Sequence, residues 1–178
     1  FEFQRLDGAQ FPPFSGGAHT VVTMQDGDRT RLNPYSLMSG PADLSTYAIS
    51  VRRDDGGRGG SLYLHTKLKQ GDRVRLSMPN NLFSLDRTAS KHLMIAGGIG
   101  ITPFLSQIKQ LKAQKGRLGT AGKADFELHY FTRESAKTAY LADLSGDAAV
   151  SRRGARNHRR GGGAGGGDCA CACACGAC

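Results

Sequence analysis

The chain has 178 residues, of which 39% are apolar and 22% are charged, and it contains no tryptophan. This length is enough for one ordinary domain or two small ones, and the composition excludes a collagen, a coiled coil and a membrane protein. Lys and Arg together number 24 and Asp and Glu 15, which gives a formal net charge of +9.

The cysteines and much of the basic excess are concentrated at the end of the chain. All five cysteines and five of the 24 basic residues lie in residues 151–178, which hold a single acidic residue. Residues 1–150 therefore have neither a disulfide nor a thiol, which favours a reducing, cytoplasmic location. No run approaches the roughly 18 apolar residues of a membrane helix, and we find no signal-peptide pattern.

The first half of the sequence has the pattern of short strands and turns. Residues 1–6 alternate apolar and polar side chains as if the sequence entered in mid-strand, so we expect a fragment whose first strand is missing. The stretches 19–24, 47–51 and 73–78 are β-rich or alternate in the same way. Together they predict a small antiparallel Greek-key β-barrel over residues 1–88.

The periodicity changes from two to about 3.6 near residues 85–91. An apolar strand at 92–96 leads through glycines into a helix that we expect to begin near Pro103 and end near Gly116. The apolar stripe of this helix consists of Phe104, Leu105, Ile108 and Leu111. A second strand at 126–132 and a second helix at 135–144 follow. This β-α-β-α order predicts an incomplete parallel α/β nucleotide-binding domain over residues 89–150. We expect its strand at 126–131 to have an unpaired edge and the domain to be poorly stable.

Residues 151–178 form a tail of unusual composition. They contain no Val, Ile, Leu, Met, Phe or Tyr, so they cannot offset an ordering entropy of roughly 1–2 kcal/mol per residue by burying a core. We expect the tail to be disordered. Its Arg, Gly, Ala and Cys content and its Cys-Ala alternation also resemble GC-rich DNA read out of frame, so we interpret it as a frameshift or assembly product.

The sequence GGIGITP at 97–103 connects the first strand and helix of the second half. Glycines let the backbone approach an anion, and free N–H groups at a helix start attract phosphate, so this turn is a candidate pyrophosphate site. The G-x-G-x-x-G spacing of dinucleotide-binding folds is not met, because Thr102 and Pro103 occupy its final positions. A tight turn that packs a helix on a strand would explain the same glycines.

Two further motifs lie in the first half. GGRGGS at 56–61 precedes a predicted short helix at 62–68, with Ser61 as its N-cap, and brings amides, a hydroxyl and the Arg58 guanidinium together. A flexible hairpin loop is the alternative interpretation. In RLNPYSL at 31–37, Tyr35 offers a flat face for stacking on a ring and Ser36 a hydroxyl beside it. Two candidate anion sites on differently built halves suggest two phosphate-bearing ligands that meet between them.

In their order and spacing, these motifs resemble the phthalate dioxygenase reductase and vanillate demethylase reductase family, the electron-supplying partners of Rieske-type oxygenases. The similarity extends from about residue 1 to 144 and is carried by NPYSLMSGP, YAISVRRDDGGRGGS, NLFSL, AGGIGITPFLS and HYFTRES. NPYSLMSGP looks closest to the reductases of carnitine-type monooxygenases. The resemblance implies an FMN-binding six-stranded barrel followed by an NADH-binding domain.

The resemblance also implies roles for individual residues. For the flavin, Tyr35 would stack by the isoalloxazine, Ser36 would lie near flavin N5, Ser50, Val51 and Arg52 would follow the flavin edge, and Gly59, Gly60 and Ser61 would hold the FMN phosphate. For NADH, Gly98, Gly100, Thr102 and Pro103 would line the nicotinamide and pyrophosphate, and Thr132 with Arg133 would face the adenosine. Ser36 and Thr102 are the candidate catalytic residues. Hydride transfer requires the two rings to be close and needs no acid–base dyad.

The chain departs from the family pattern in two respects. Where the family commonly has Arg two residues before the Tyr, this chain has Asn33, so Arg31 or Arg58 is the candidate substitute. The family also ends in a ferredoxin domain whose four cysteines hold a 2Fe-2S cluster. Those cysteines are absent here, because the ladder at 169–178 has neither cluster nor zinc-site spacing. We therefore expect no metal site, and structural or surface roles for the five histidines.

The leading interpretation is an NADH-dependent flavin oxidoreductase, the reductase component of a Rieske-type oxygenase system. It would pass electrons from NADH to FMN and, in the intact family, to a 2Fe-2S centre, with the oxygenase component as partner. We expect this fragment to retain FMN at most, with little or no NADH turnover. One alternative is a basic nucleic-acid-binding protein with an Arg-Gly tail, although that tail has no aromatic residue on which a base could stack. The other is a non-functional product of a disrupted gene.

Overall fold

The computed structural model describes residues 1–118, 125–132, 139, 140, 144 and 150–154. The chain divides into two compact units. The first unit comprises Phe1–Ala89 and Thr102–Lys123, and the second comprises Ser90–Ile101 and Ala124–Cys178. The helix after the GGIGITP turn is thus grouped with the strands of the first half, whereas the sequence pattern assigned it to the second domain.

Two antiparallel sheets form the framework of the first unit. Its strands are β1 (Glu2–Phe3), β2 (His19–Asp26), β3 (Arg29–Ser36), β4 (Tyr47–Ala48) and β5 (Arg75–Leu76). β1 pairs with β4, and the second sheet has the order β3-β2-β5. Isolated bridges between Leu37 and Ile49 and between His19 and Asn80 continue the pairing beyond these strands. The antiparallel arrangement predicted for this half is confirmed.

One hydrophobic core lies inside the first unit. β2 alternates between partly buried and buried side chains over its first six residues, as expected for a strand with one face inward. The buried cluster consists of Ala18, Val22, Met24, Leu37, Tyr47, Ile49 and Leu64. The Tyr47 ring stacks on Phe11 with ring centroids 4.0 Å apart, and its hydroxyl donates to the Pro12 carbonyl. An aromatic ring thus fixes the segment before β2 to β4.

Helix α1 (Gly60–Thr66) follows the second glycine cluster. The predicted N-cap at Ser61 is wrong, because the helix begins before that residue and its N-cap is Gly59. Gly59 has a φ of +90° and makes no side-chain cap, while its carbonyl accepts from Tyr63 N at 2.9 Å. A left-handed turn that glycine tolerates therefore starts the helix early. The Ser61 hydroxyl instead accepts from Asp54 N at 3.1 Å.

Helix α2 (Thr102–Leu118) follows a short 3-10 helix, Gly98–Ile101. All four residues of the predicted apolar stripe are buried, which confirms it. Ser106 and Gln107 are buried as well, at 0% and 3% exposure, which the sequence pattern did not predict. The helix continues past the predicted end at Gly116.

The second unit contains a parallel sheet of β6 (Lys91–Gly97), β7 (Asp125–Thr132) and β8 (Val150–Gly154), in that order. β8 pairs with β7 from Leu128 to Thr132, so the expectation of an unpaired edge along 126–131 is wrong from residue 128 onward. Residues 151–154, which the sequence assigned to the disordered tail, belong to β8. Backbone ladder bonds require no apolar side chains, so a polar segment can pair with β7. The predicted helix at 135–144 lies almost wholly, and residues 155–178 lie entirely, outside the described residues.

The described part of the chain has neither a helix suited to a membrane nor a cluster of metal-binding side chains. No helix there combines the length and apolar character needed to cross a bilayer. The same residues contain no group of three or more His, Cys, Asp and Glu side chains placed to hold a metal ion.

Candidate functional site

A row of three side chains lies along one face of β3. Arg31, Asn33 and Tyr35 are two residues apart, so they share a face of the strand, and all three are partly buried, whereas Leu32 on the opposite face is 64% exposed. Asn33 Nδ2 donates to the Tyr35 hydroxyl oxygen at 3.2 Å. The row therefore presents a guanidinium, an amide and a phenol in sequence along the strand.

Tyr35 combines an apolar face with a fixed polar end. Its side chain packs against the hydrophobic core of the first unit. Burial raises the pKa of its phenol above the ordinary value, and the hydrogen bond from Asn33 opposes this in part. The phenol is therefore neutral at physiological pH, which suits a ring that stacks on another aromatic system.

The second glycine cluster lies directly against this row. A Cβ at Gly60 would be 2.3 Å from Asn33 Nδ2, and a Cβ at Gly59 would be 3.3 Å from the Arg31 guanidinium. A real Cβ could not occupy the first position without moving the Asn33 amide. Glycine at 60 thus allows the loop backbone to approach β3 closely, which explains the residue type independently of loop flexibility.

The loop at 54–61 is closed by hydrogen bonds of its own. Asp54 N donates to Ser61 Oγ at 3.1 Å, and the Ser61 hydroxyl lies 3.4 Å from the Asp54 carbonyl. Gly56 N donates to Asp54 Oδ1 at 3.2 Å. The Arg31 guanidinium donates to the Arg58 carbonyl in the middle of the loop. Asp54, which the sequence marks as a turn residue but not as a site residue, therefore shapes the segment that contains Gly59, Gly60 and Ser61.

The predicted flavin-edge segment, residues 50–52, is also tied to helix α1. His65 Nε2 lies 2.7 Å from the Val51 carbonyl oxygen, and since a carbonyl only accepts, Nε2 carries the proton. Val51 packs against the core, Ser50 is partly buried and Arg52 is exposed. His65 thus links this segment to the helix that follows the glycine loop, a role for which its spacing in the sequence gave no signal.

The glycine turn at the end of β6 is more open than the glycine loop of the first unit. β6 ends at Gly97 and β7 at Thr132, and Gly97 is in register with Phe131, so Gly98, Gly100 and Thr132 lie at one edge of the sheet. A Cβ added at Gly97, Gly98 or Gly100 would meet no described atom within 4 Å. Gly98 has a φ of +51°, which favours glycine. Within the described part of the chain, tight packing therefore does not account for Gly97 and Gly100.

Thr102 and Pro103 begin α2 and belong to the first unit, so the chain passes between the units at this point. Thr102 is buried, and the Pro103 carbonyl accepts from Ser106 Oγ at 3.0 Å. Ser36 ends β3, opposite His19 of β2. Arg133 lies outside the described residues. Of the predicted site residues, the structure brings Asn33 next to both Tyr35 and Gly60, with Gly59 beside Arg31.

Two cavities of the first unit lie elsewhere. One of about 360 Å³ is lined by six residues that include Pro13, Phe14 and Pro79. The other, of about 250 Å³, is lined by nine residues that include Tyr63, Leu64 and Arg73. None of the predicted site residues lines either cavity. The candidate site is a surface formed by β3 and the glycine loop.

Comparison with known proteins finds extensive similarity. The chain is 46% identical over 144 residues to the carnitine monooxygenase reductase subunit of Escherichia coli K12, covering 81% of this chain and 42% of that protein. It is 40% identical over 152 residues to the vanillate O-demethylase oxidoreductase of Pseudomonas putida, covering 85% of this chain and 44% of that protein. No protein-family model matches the chain.

The fold is likewise that of a solved reductase. A phthalate dioxygenase reductase, described as a modular structure for electron transfer from pyridine nucleotides to [2Fe-2S], superposes with a TM-score of 0.78 and 35% identity, over 89% of this chain and 48% of that one. The resemblance inferred from the motifs is confirmed, and so is the fold class of an antiparallel flavin-type barrel followed by a parallel α/β segment. The chain spans less than half the length of these proteins.

Proposed function

We propose that this chain is the flavin-binding part, and the start of the nicotinamide-binding part, of an oxygenase reductase. The intact protein would pass electrons from NADH to FMN and on to a 2Fe-2S centre. The proposal is supported by 40–46% identity to oxygenase reductases over four-fifths or more of the chain. The observation that carries it is the approach of Gly59 and Gly60 to the row of Arg31, Asn33 and Tyr35.

The residues of the first unit fit a flavin mononucleotide. Such a ligand has a flat apolar ring system, a polar chain and a dianionic phosphate. Tyr35 supplies a neutral ring face, Asn33 an amide, and the loop at 54–61 supplies backbone N–H groups beside the Arg31 guanidinium. The loop can approach this closely only because residue 60 has no Cβ.

When bound, FMN supplies the chemistry that accepts two electrons from NADH and releases them singly to a one-electron centre. The residues of the chain would then bind the flavin and orient it. Tyr35 would stack beside the ring system, Ser36 would offer its hydroxyl to it, and Ser50, Val51 and Arg52 would follow its edge. Gly59, Gly60 and Ser61 would hold the phosphate. Ser61 must exchange its long 3.4 Å contact with Asp54 to donate there.

For the nicotinamide nucleotide we propose two groups of residues. Gly98 and Gly100 offer backbone N–H groups at the sheet edge where Thr132 ends β7, and Thr102 and Pro103 begin the helix that follows. Arg133, next in sequence to Thr132, would face the adenosine. The open space around Gly97, Gly98 and Gly100 supports access of a pyrophosphate to this backbone.

The partner that we propose is the oxygenase component of a multicomponent monooxygenase or dioxygenase. Residues 1–168 contain no cysteine, so ligands for a 2Fe-2S cluster are not available in that part of the chain. The absence of thiols there also supports a cytoplasmic location, where disulfides are rare.

An FMN titration of the full chain tests the proposal. We expect saturable binding of one FMN per chain with quenching of flavin fluorescence. Tyr35→Leu should weaken binding by about two- to tenfold, since aromatic stacking contributes roughly 0.5–1.5 kcal/mol. The matched control is Tyr63→Leu, because Tyr63 also packs against the core but is not a predicted flavin contact. Absence of saturable binding, or equal loss in both variants, would refute the assignment.

A further inference from the structure

Asp26 and Arg31 form an ion pair at the end of the β2–β3 hairpin. Asp26 ends β2, and Arg31 lies diagonally across from it, because Arg31 is in register with Met24. Arg31 Nε and Nη2 donate to the same oxygen, Asp26 Oδ2, at 3.1 and 2.9 Å. Lys67 Nζ lies 3.7 Å from the other carboxylate oxygen. Both members of the pair are about three-quarters buried, with 23% and 27% of their side chains exposed.

The third nitrogen of Arg31 reaches the glycine loop. Nη1 donates to the Arg58 carbonyl, and the guanidinium lies 3.3 Å from the position that a Cβ of Gly59 would occupy. The φ of +90° at Gly59 turns the backbone at this point. Two hydrogen bonds to Asp26 therefore hold the guanidinium beside the loop, and a third hydrogen bond joins it to the loop backbone.

The donor inventory of Arg31 leaves capacity for an anion. A guanidinium has five N–H groups. Three of them make the bonds to Asp26 and Arg58, and the other two, on the terminal nitrogens, have no hydrogen-bond partner among the described residues. Terminal N–H pairs of arginine are well suited to the oxygens of a phosphate.

We propose that Asp26 is a positioning residue for the flavin phosphate, which acts by holding the Arg31 guanidinium across the backbone of Arg58 and Gly59. The inference rests on the proposed function, because it assigns the phosphate end of FMN to this loop. Without Asp26, the long Arg31 side chain would have to be ordered when the ligand binds, and that ordering weakens binding.

Asp26 has two effects on the affinity for FMN, and because they have opposite signs they can be distinguished by experiment. As a negative charge near a phosphate, Asp26 repels it, so a purely through-space effect predicts that Asp26→Asn strengthens FMN binding. As a positioning residue, Asp26 fixes the cation, so the same variant should weaken FMN binding. A role confined to hairpin stability would change the binding of flavins with and without a phosphate equally.

The test compares FMN with riboflavin, which lacks the phosphate, in titrations of the full chain. We expect Asp26→Asn to weaken FMN binding by about three- to tenfold, the scale of immobilising one flexible side chain, and to leave riboflavin binding unchanged. Asp26→Glu, which keeps the carboxylate, should restore most of the preference for FMN. The matched control is Asp7→Asn, since Asp7 forms a similar pair with Arg5 and should leave both affinities unchanged.

Each other result overturns the inference. Stronger FMN binding in Asp26→Asn, no change, or equal loss for FMN and riboflavin contradicts a positioning role. If Asp26→Asn does not fold, Asp26→Ser provides the same comparison, because serine also removes the carboxylate that holds the Arg31 guanidinium. A wild-type chain that binds neither flavin refutes the proposed function as well. A wild-type chain that prefers FMN while the variants keep that preference refutes only the role of Asp26.

Discussion

The backbone N–H of Gly17 donates to Ser106 Oγ across 2.9 Å, joining residues that are 89 positions apart in the sequence. The adjacent Gly16 N donates to Gln110 Oε1, and Gln107 Nε2 donates to the Phe83 carbonyl at 2.6 Å. Three polar side chains on α2 therefore bond to loop groups. Two of these groups, the N–H groups of Gly16 and Gly17, belong to buried residues and would otherwise lack these partners, which is costly. These bonds make α2 an integral part of the first unit.

Gly17 is the most constrained position in this contact. It has a φ of +93°, and an added Cβ would lie 2.0 Å from the Phe83 carbonyl oxygen. We expect Gly17→Ala to lower the free energy of unfolding by well over the roughly 1–2 kcal/mol that left-handed backbone costs an L residue. Gly27→Ala is the matched control, since Gly27 has a φ of +60° and no atom within 4 Å. Urea unfolding measures both; equal destabilisation would contradict the packing argument.

Gly60→Ala should act on flavin binding through Asn33. The new Cβ would displace the Asn33 amide and break its hydrogen bond to Tyr35, so we expect the FMN dissociation constant to rise by about two- to tenfold. In Asn33→Ala the space is free, so adding Gly60→Ala should then have little further effect. Gly56→Ala, whose nearest described atom is 3.8 Å away, serves as control. Additive losses in the double variant would contradict the contact.

His65 should matter for the predicted flavin-edge segment. His65→Ala removes the N–H donor to the Val51 carbonyl and the edge contact with the Phe1 ring, so we expect a loss of about 1 kcal/mol in the free energy of unfolding and weaker FMN binding. His65→Gln can still donate and should recover part of both. His92→Ala, in β6 of the second unit, is the comparison; if it weakens FMN binding as much, His65 has no specific role.

Tyr47 should make the first unit sensitive to alkaline pH. Burial raises the pKa of Tyr47 from its ordinary value of 10.0 to about 12. The unfolded chain therefore ionises this phenol first, so its contribution to stability is complete below pH 10 and is lost as the pH rises towards 12. In Tyr47→Phe, urea midpoints should fall less steeply over that interval. At neutral pH the variant should lose about 1 kcal/mol with its bond to Pro12. Parallel pH curves would show that Tyr47 is not responsible.

The sequence predicts those features of the fold that depend on local pattern. The strand at 19–24, the strand at 126–132 and the apolar stripe from Phe104 to Leu111 are all confirmed, because β-branched and aromatic residues mark the strands and a period of about 3.6 marks the helix. The N-cap at Ser61 was wrong because glycine at 59 adopts a conformation that side-chain preferences do not describe. The pairing of β8 was missed because its polar sequence has no strand periodicity.

The residues of the candidate site likewise fall into those that the sequence predicts and those that it misses. Tyr35 and the glycines at 59 and 60 can be picked out from the sequence because they lie in the NPYS and GGRGGS motifs. Their roles toward a flavin stay predictions. The supporting residues Asp26 and His65 carry no such signal, because their partners are defined only by tertiary structure. The one available indication was the hairpin sequence QDGDRTR at 25–31, in which a turn at Gly27 makes Asp26 and Arg31 cross-strand neighbours.

The attachment of α2 to the first unit has a practical consequence for building chimeric reductases. A recombination point placed just before β6 would exchange α2 along with the strands of the second unit, and a foreign helix would have to reproduce Ser106, Gln107 and Gln110 opposite residues 16, 17 and 83. Exchanging residues 90–101 and the segment from 124 onward, while keeping the native helix between them, leaves those bonds intact. Swaps of the second unit of this chain should therefore use two crossovers that flank the helix.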